Sequence, residues 1–176
     1  MTDNEILKAI KARMLKIAIK LKLQKPPSDV DVEPERTSPT VCIGYLPPKG
    51  FLPDEYDIPA IVVGYNKESG EDNGTEASLN IKLTLATYGA GSYDGDGKFN
   101  PDMTGYIELI NMISYIREDL SKNPIIEKVT IMDKGPDTPF KWGTYEEQPW
   151  PNWYGWVTFS VKAAVQNMIP QMGEYL

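Results

Sequence analysis

Residues 58–88 constrain the fold most, because they read as two strands whose connection is far longer than strand pairing requires. Ile58-Pro59-Ala60-Ile61-Val62-Val63-Gly64-Tyr65 is β-branched and mostly apolar, and Leu79, Ile81, Leu83 and Leu85 recur with the period of two that marks a half-buried strand. Between these runs lie Asn66 to Ser78, which hold Lys67 against Glu68, Glu71, Asp72 and Glu76 and contain no large apolar residue. A hairpin needs only about two to five connecting residues. The composition therefore predicts a long acidic hairpin loop over 66–78. It is either a solvated excursion or an arm that becomes ordered on a neighbouring subunit or partner, because nothing in it can pack on itself.

The rest of the chain supplies elements for one sheet. Ile6, Ile10, Met14, Ile17 and Leu21 recur at three- and four-residue steps, predicting an amphipathic helix over the first 23 residues, with Asp3 or Asn4 as cap and Pro26-Pro27 as stop. Four prolines in residues 24–40 (Pro26, Pro27, Pro34, Pro39) mark a linker, and the proline-rich linker and loop region as a whole spans 24–57, interrupted by a short strand at Val41, Ile43 and Tyr45. After Tyr88 a glycine-rich turn leads into a helix over 103–122, capped by Asp102 or Thr104, with Tyr106, Leu109, Ile110, Ile113, Ile116 and Leu120 as its buried stripe. Strands follow at about 127–132 and 156–165. The order α-β-β-β-α-β-β predicts an α+β fold, a mostly antiparallel sheet with an N-terminal and a central helix packed on it. At 176 residues the chain suits one domain, 1–176.

The chemistry of the chain narrows its function. There is no histidine, which removes Ser-His and Cys-His nucleophilic machinery and imidazole metal ligands, and no GxxxxGK[ST] loop for phosphates. No catalytic residue, cofactor or metal is expected, and the chain does not read as an enzyme. Asp94-Gly95-Asp96-Gly97-Lys98-Phe99 resembles the middle of an EF-hand calcium loop. In that register, however, Met103 stands where a bidentate glutamate belongs, so a plain acidic turn is the favoured reading.

Charge is uneven along the chain. Residues 1–25 carry seven Lys/Arg against Asp3 and Glu5, a net +5, and the whole is −7, which leaves −12 on the remainder. Such a balance argues against general nucleic-acid affinity and allows electrostatic complementarity between subunits. No apolar run is long enough to span a membrane, and a single cysteine, Cys42, excludes an intramolecular disulfide, pointing to folding in a reducing cytoplasm. All four tryptophans, Trp142, Trp150, Trp153 and Trp156, fall within fifteen residues. That cluster suits either packing at a sheet edge or subunit boundary or stacking on sugars.

The amphipathic first helix, the strands at 58–65 and 79–88 around a long polar connection, the glycine-rich turn into helix 103–122, and the segment Pro149-Trp150-Pro151-Asn152-Trp153-Tyr154-Gly155-Trp156 leading into a last strand together resemble phage tail terminator, or tail-completion, proteins. The resemblance covers most of the chain and is weakest over 24–57. It implies a structural virion protein of the head-proximal end of the tail, assembled in the host cytoplasm: a ring, homohexameric in the family, that caps the tail tube, stops its polymerisation and presents a surface to the head–tail connector or neck protein. The candidate contact residues are Lys8, Lys11, Lys16, Lys20, Glu68, Glu71, Asp72, Glu76, Trp150 and Trp153. A neck or head-closure protein of the same particle is the nearest alternative. A carbohydrate-binding module using the tryptophans is the alternative from another class.

Overall fold

A computed structural model of the chain describes residues 2–26, 35–45, 58–72, 76–93, 96–100, 103–132 and 139–164. In chain order the elements are α1 (Asp3–Ala18), β1 (Leu23–Gln24), β2 (Arg36–Thr37), β3 (Thr40–Ile43), β4 (Ala60–Asp72), β5 (Glu76–Tyr88), β6 (Ser92–Tyr93), β7 (Phe99–Asn100), α2 (Thr104–Lys122), β8 (Ile125–Ile126), β9 (Val129–Ile131), β10 (Phe140–Thr144) and β11 (Asn152–Ala164). They build an α+β fold around a seven-stranded sheet of order β3-β4-β5-β11-β9-β8, with β10 also paired to β11. The larger elements, α1, β3, β4, β5, α2, β9 and β11, keep the order read from the sequence. Within this sheet β3 runs parallel to β4 and every other pairing is antiparallel.

Both helices cover one face, α1 over β3 and β4, α2 over β5 and β11. The core between them joins Ile6, Ile10, Met14 and Ile17 of α1 to Ile61 and Val63 of β4, Ile81, Leu83 and Leu85 of β5, Leu109, Ile113 and Ile116 of α2, and Val157, Phe159 and Val161 of β11. Alternate residues of the long strands thus point at the helices, as the period of two requires. Truncating any of the fully buried aliphatics to alanine would cost about 2–5 kcal/mol. The opposite face carries a smaller cluster, Ile58, Ala60 and Ala86, with Tyr88 and Tyr154 against it.

The structure corrects the reading of 66–78. Strand β4 runs to Asp72 and β5 begins at Glu76, so the connection outside the strands is only residues 73–75, which lie beyond the described residues. Gly70, Glu71 and Asp72 pair with Leu79, Ser78 and Ala77, while on its other side β5 pairs Ser78, Ala77 and Glu76 with Lys162, Ala163 and Ala164 of β11. Backbone N–H and C=O groups on both sides of β5 supply this order, and they need no apolar side chain. The polar stretch is absorbed partly by a bulge: between Tyr65 and Gly70 five positions of β4 advance against two of β5. Gly70 closes that bulge so tightly that a Cβ there would lie 2.1 Å from the Ser78 carbonyl oxygen.

Helix ends also differ from expectation. Thr2, not Asp3 or Asn4, caps α1: Glu5 N–H donates to Thr2 Oγ1 at 3.3 Å and Thr2 N–H donates to Glu5 Oε2 at 2.7 Å, a capping box. That helix ends at Ala18, short of residue 23. At α2 the N-cap position is Met103, with no side-chain cap, and Asp102 lies outside the described residues. The buried face of α2 is Gly105, Glu108, Leu109, Met112, Ile113, Ile116 and Leu120, and Tyr106 and Ile110 are exposed. The rotation is set at the helix start. There Gly105 abuts Gly89 and the Trp153 ring so closely that a Cβ at 105 would sit 2.5 Å from Trp153 Cδ1 and 2.7 Å from Gly89 N.

Strands β1 and β2 pair antiparallel, Leu23 with Thr37 and Gln24 with Arg36, so a small sheet of its own forms where the linker begins. It is anchored to α2 through Glu108. Gln24 N–H donates to Glu108 Oε2 at 3.1 Å, and Arg36 Nη2 donates to Oε1 at 2.6 Å while also reaching the Lys22 carbonyl at 2.8 Å.

Candidate functional site

The sequence-selected tryptophans do not form a common platform. Trp153 points to the helix side of β11, donates from Nε1 to the Gly89 carbonyl at 3.2 Å and meets Tyr106 edge-on with ring centroids 5.6 Å apart. It closes the junction between β5 and α2, where Thr87, fully buried, donates from Oγ1 to the Gly105 carbonyl at 2.7 Å. Trp156, on the other face of the sheet, lies beside Gly143 of β10 and is partly buried. Trp142 lies beneath Arg117 of α2, whose guanidinium carbon is 3.2 Å from the indole centroid. Trp142 is nevertheless 45% exposed, and Trp150, in the connection between β10 and β11, stands out furthest, 58% exposed.

That connection, Tyr145 to Pro151, is fixed by one side chain the sequence reading passed over. Gln148 donates from Nε2 to the Tyr145 carbonyl at 2.7 Å and to the Tyr154 carbonyl at 2.9 Å, and its Oε1 accepts from Tyr154 N–H at 2.6 Å. Trp150 N–H donates to the Gln148 carbonyl at 2.8 Å and Asn152 N–H to the Pro149 carbonyl at 2.9 Å. The result is a braced turn that presents Glu146, Glu147 and Trp150 to solvent, with Tyr145 exposed beside them and Lys82 Nζ 5.4 Å from its ring centroid. A glutamine at a loop centre between two strands was the available signal. Its partners, being backbone groups, leave no mark on the sequence.

Three of the four lysines fall on α1, and Lys20 follows in the turn just after it. Lys8, Lys16 and Lys20 are exposed and Lys11 is half-buried; Leu15 of α1 is 43% exposed, and Ile19, at the cap of the helix, is 70% exposed. Among the described residues none of these four lysines is in an ion pair, whereas Arg13 is committed to Asp119 of α2, 2.8 Å from Nε and 2.5 Å from Nη2. Glu68, Glu71 and Asp72 lie on β4 and Glu76 on β5, and their side chains are outside what is described. Structure therefore gathers Lys8, Lys11 and Lys16 on α1 with Lys20 in the turn after it, puts the four acids on the paired strands of the long hairpin, and separates Trp150 from Trp153.

Between α2 and β10 runs a cleft of about 270 Å³, lined by Ser114, Arg117, Glu118, Pro139, Phe140 and Trp142. Arg117 Nε is buried without a hydrogen-bond partner, and Glu118 is drawn away to Lys122 at 2.5 Å. Ionisation follows local surroundings: burial raises the Cys42 thiol above its ordinary value, with Lys11 pulling the other way, and the Thr2 N–H holds Glu5 below its own. Strands β6 and β7 pair Ser92 with Asn100 and Tyr93 with Phe99, and of the Asp94–Phe99 segment Asp94 and Gly95 lie outside the described residues. Among the described residues no cluster of three or more Cys, Asp or Glu could hold a metal ion, and no helix is long and apolar enough to cross a membrane. No protein-family model matches the sequence, and no curated protein matches it significantly.

Proposed function

We propose that this chain is a phage tail terminator. Copies of it form a ring, a hexamer as the resemblance implies, that sits on the completed tail tube, blocks addition of further tube subunits and offers its other face to the head connector or neck protein. The observation that carries this reading is the arrangement of the larger elements. An N-terminal amphipathic helix and a central helix lie side by side on one face of a sheet whose last strand follows the Pro149–Trp156 segment, which is the order on which the resemblance rests.

The carbohydrate alternative draws less support from the tryptophans, of which Trp150 is the most exposed and stands apart from the others. Sugar stacking needs exposed, coplanar rings, and here Trp153 closes a junction, Trp142 lies under Arg117 and Trp156 faces away from both. The test is length control. Purified protein added to polymerising tail-tube subunits of the same particle should shorten the tubes and leave a ring at one end of each under electron microscopy. Tubes of unchanged length and unadorned ends would refute the reading, and rings that bind the head connector but never the tube would replace it with the neck role.

A further inference from the structure

We propose that copies of this chain associate head-to-tail, the basic outer face of α1 on one subunit docking on the braced Tyr145–Pro151 turn of the next. The proposal rests on the ring reading only for closure of the assembly. Its first support is chemical complementarity. The outer face of α1 and the turn that ends it offer Lys8, Lys16 and Lys20 together with the exposed aliphatic side chains of Leu15 and Ile19. The turn offers Glu146 and Glu147 beside the exposed rings of Tyr145 and Trp150. Each surface is thus an apolar centre with a predominance of one charge, basic around Leu15 and Ile19 and acidic at Glu146 and Glu147, where Lys82 over the Tyr145 ring is the one cation described beside them. Among the described residues neither carboxylate of the turn is in an ion pair.

The second support is position. In the sheet order β3-β4-β5-β11, α1 lies over the β3–β4 side, while β10 and its turn flank β11 on the far side of β5. One molecule cannot bring its own two surfaces together across that width, and a two-fold contact, in which both pairings form at one axis, would have to bring both flanks to the same place. Complementary surfaces on opposite flanks are what a heterologous contact uses, and such contacts propagate into a closed ring or a filament. Pre-organisation is the third support. Three hydrogen bonds from Gln148 hold the turn in one conformation before any partner arrives, so little ordering entropy is lost on docking.

Charge exchange tests this directly by native mass spectrometry. Lys16→Glu/Lys20→Glu and Glu146→Lys/Glu147→Lys should each leave the protein monomeric at concentrations where the wild type is assembled. Mixed in equal amounts, they should recover the wild-type oligomer with alternating composition, because each reversed surface then meets a reversed partner. Ile19→Ser, which alters no charge, should weaken wild-type association roughly tenfold through lost apolar burial. Variants that stay assembled, or a mixture that stays monomeric, overturn this interface and leave the ring reading standing. A wild type that is monomeric at every concentration overturns both. Sedimentation of that monomer with anionic lipid vesicles, lost in Lys16→Glu/Lys20→Glu, would give the α1 face to membranes instead.

Discussion

Two connections of this molecule invert what their compositions suggest. The β4–β5 hairpin is polar and acidic through 66–78, yet it is ordered as strand up to Asp72 and from Glu76, because β5 is flanked by β4 on one side and β11 on the other. The β10–β11 connection is bounded by tryptophan and proline and looks like packing material, yet it stands exposed and is held by the amide of Gln148 together with a few backbone bonds. The difference is where backbone N–H and C=O groups go. A ladder satisfies them whatever the side chains are, whereas a turn outside any ladder needs a side chain that can donate and accept at once, as glutamine can.

The sharpest way to break the comparison is to treat the hairpin as dispensable. Deleting Glu68–Gly74 removes the β4 partners of Leu79, Ser78 and Ala77 together with the bulge. At about 1 kcal/mol for each lost ladder hydrogen bond, unfolding free energy in urea should fall by about 2–4 kcal/mol. A deletion that leaves the urea midpoint unchanged would restore the picture of a detachable loop. A single substitution probes the same point more gently. Gly70→Val places a side chain where a Cβ alone meets the Ser78 carbonyl oxygen at 2.1 Å, so the bulge must open, at a cost of about 1–3 kcal/mol. Hydrogen exchange should show the loss of protection confined to the hairpin end of β4 and β5, and protection unchanged there would contradict the tight closure.

On the other side of the comparison stands Gln148→Ala. It leaves Tyr154 N–H and the Tyr145 and Tyr154 carbonyls without their amide partner. Because the turn is partly open to water, the cost should be smaller, about 1 kcal/mol. The readout that matters is tryptophan emission: Trp150 should become more mobile and more quenchable in this variant, while Trp153 keeps its contacts. Equal quenching in variant and wild type would mean that the turn is held by something else.

These contrasts explain how much was legible beforehand. Alternation at Leu79, Ile81, Leu83 and Leu85 and the three-to-four spacing along α1 are dictated by burial of one face, so they read directly from residue type. Strand β10 was not legible, since Phe140-Lys141-Trp142-Gly143-Thr144 is short and carries a glycine, and it exists because β11 offers it an edge. Nor was Glu108, a carboxylate on the buried face of α2 whose partners, Arg36 and the Gln24 amide, come from a stretch that reads as linker. The candidate contact residues were half legible. The lysines cluster by helical spacing, but Trp150 and Trp153, three residues apart, go to opposite fates because one sits in the turn and the other two residues into β11.

The smallest effect separates the two regions by pH. Tyr65 is the last residue before the β4 bulge, and Tyr88 ends β5 opposite Asn152 at the foot of the β10–β11 turn. Burial raises both phenols above their ordinary value, and at Tyr65 the Asp3 carboxylate adds its charge and a hydrogen bond. A phenol raised in the folded state stays neutral there after the unfolded chain has begun to ionise. Its stabilising contribution is therefore complete below about pH 10, the unfolded value, and is lost as pH climbs through the higher folded value. Thermal midpoints should fall on that alkaline limb, and Tyr88→Phe should flatten the fall. Phenolate absorbance should show Asp3→Asn lowering the Tyr65 transition without moving that of Tyr88. If Asp3→Asn shifts both tyrosines equally, the rise at Tyr65 is global in origin, and α1 is not in local contact with the start of the bulge.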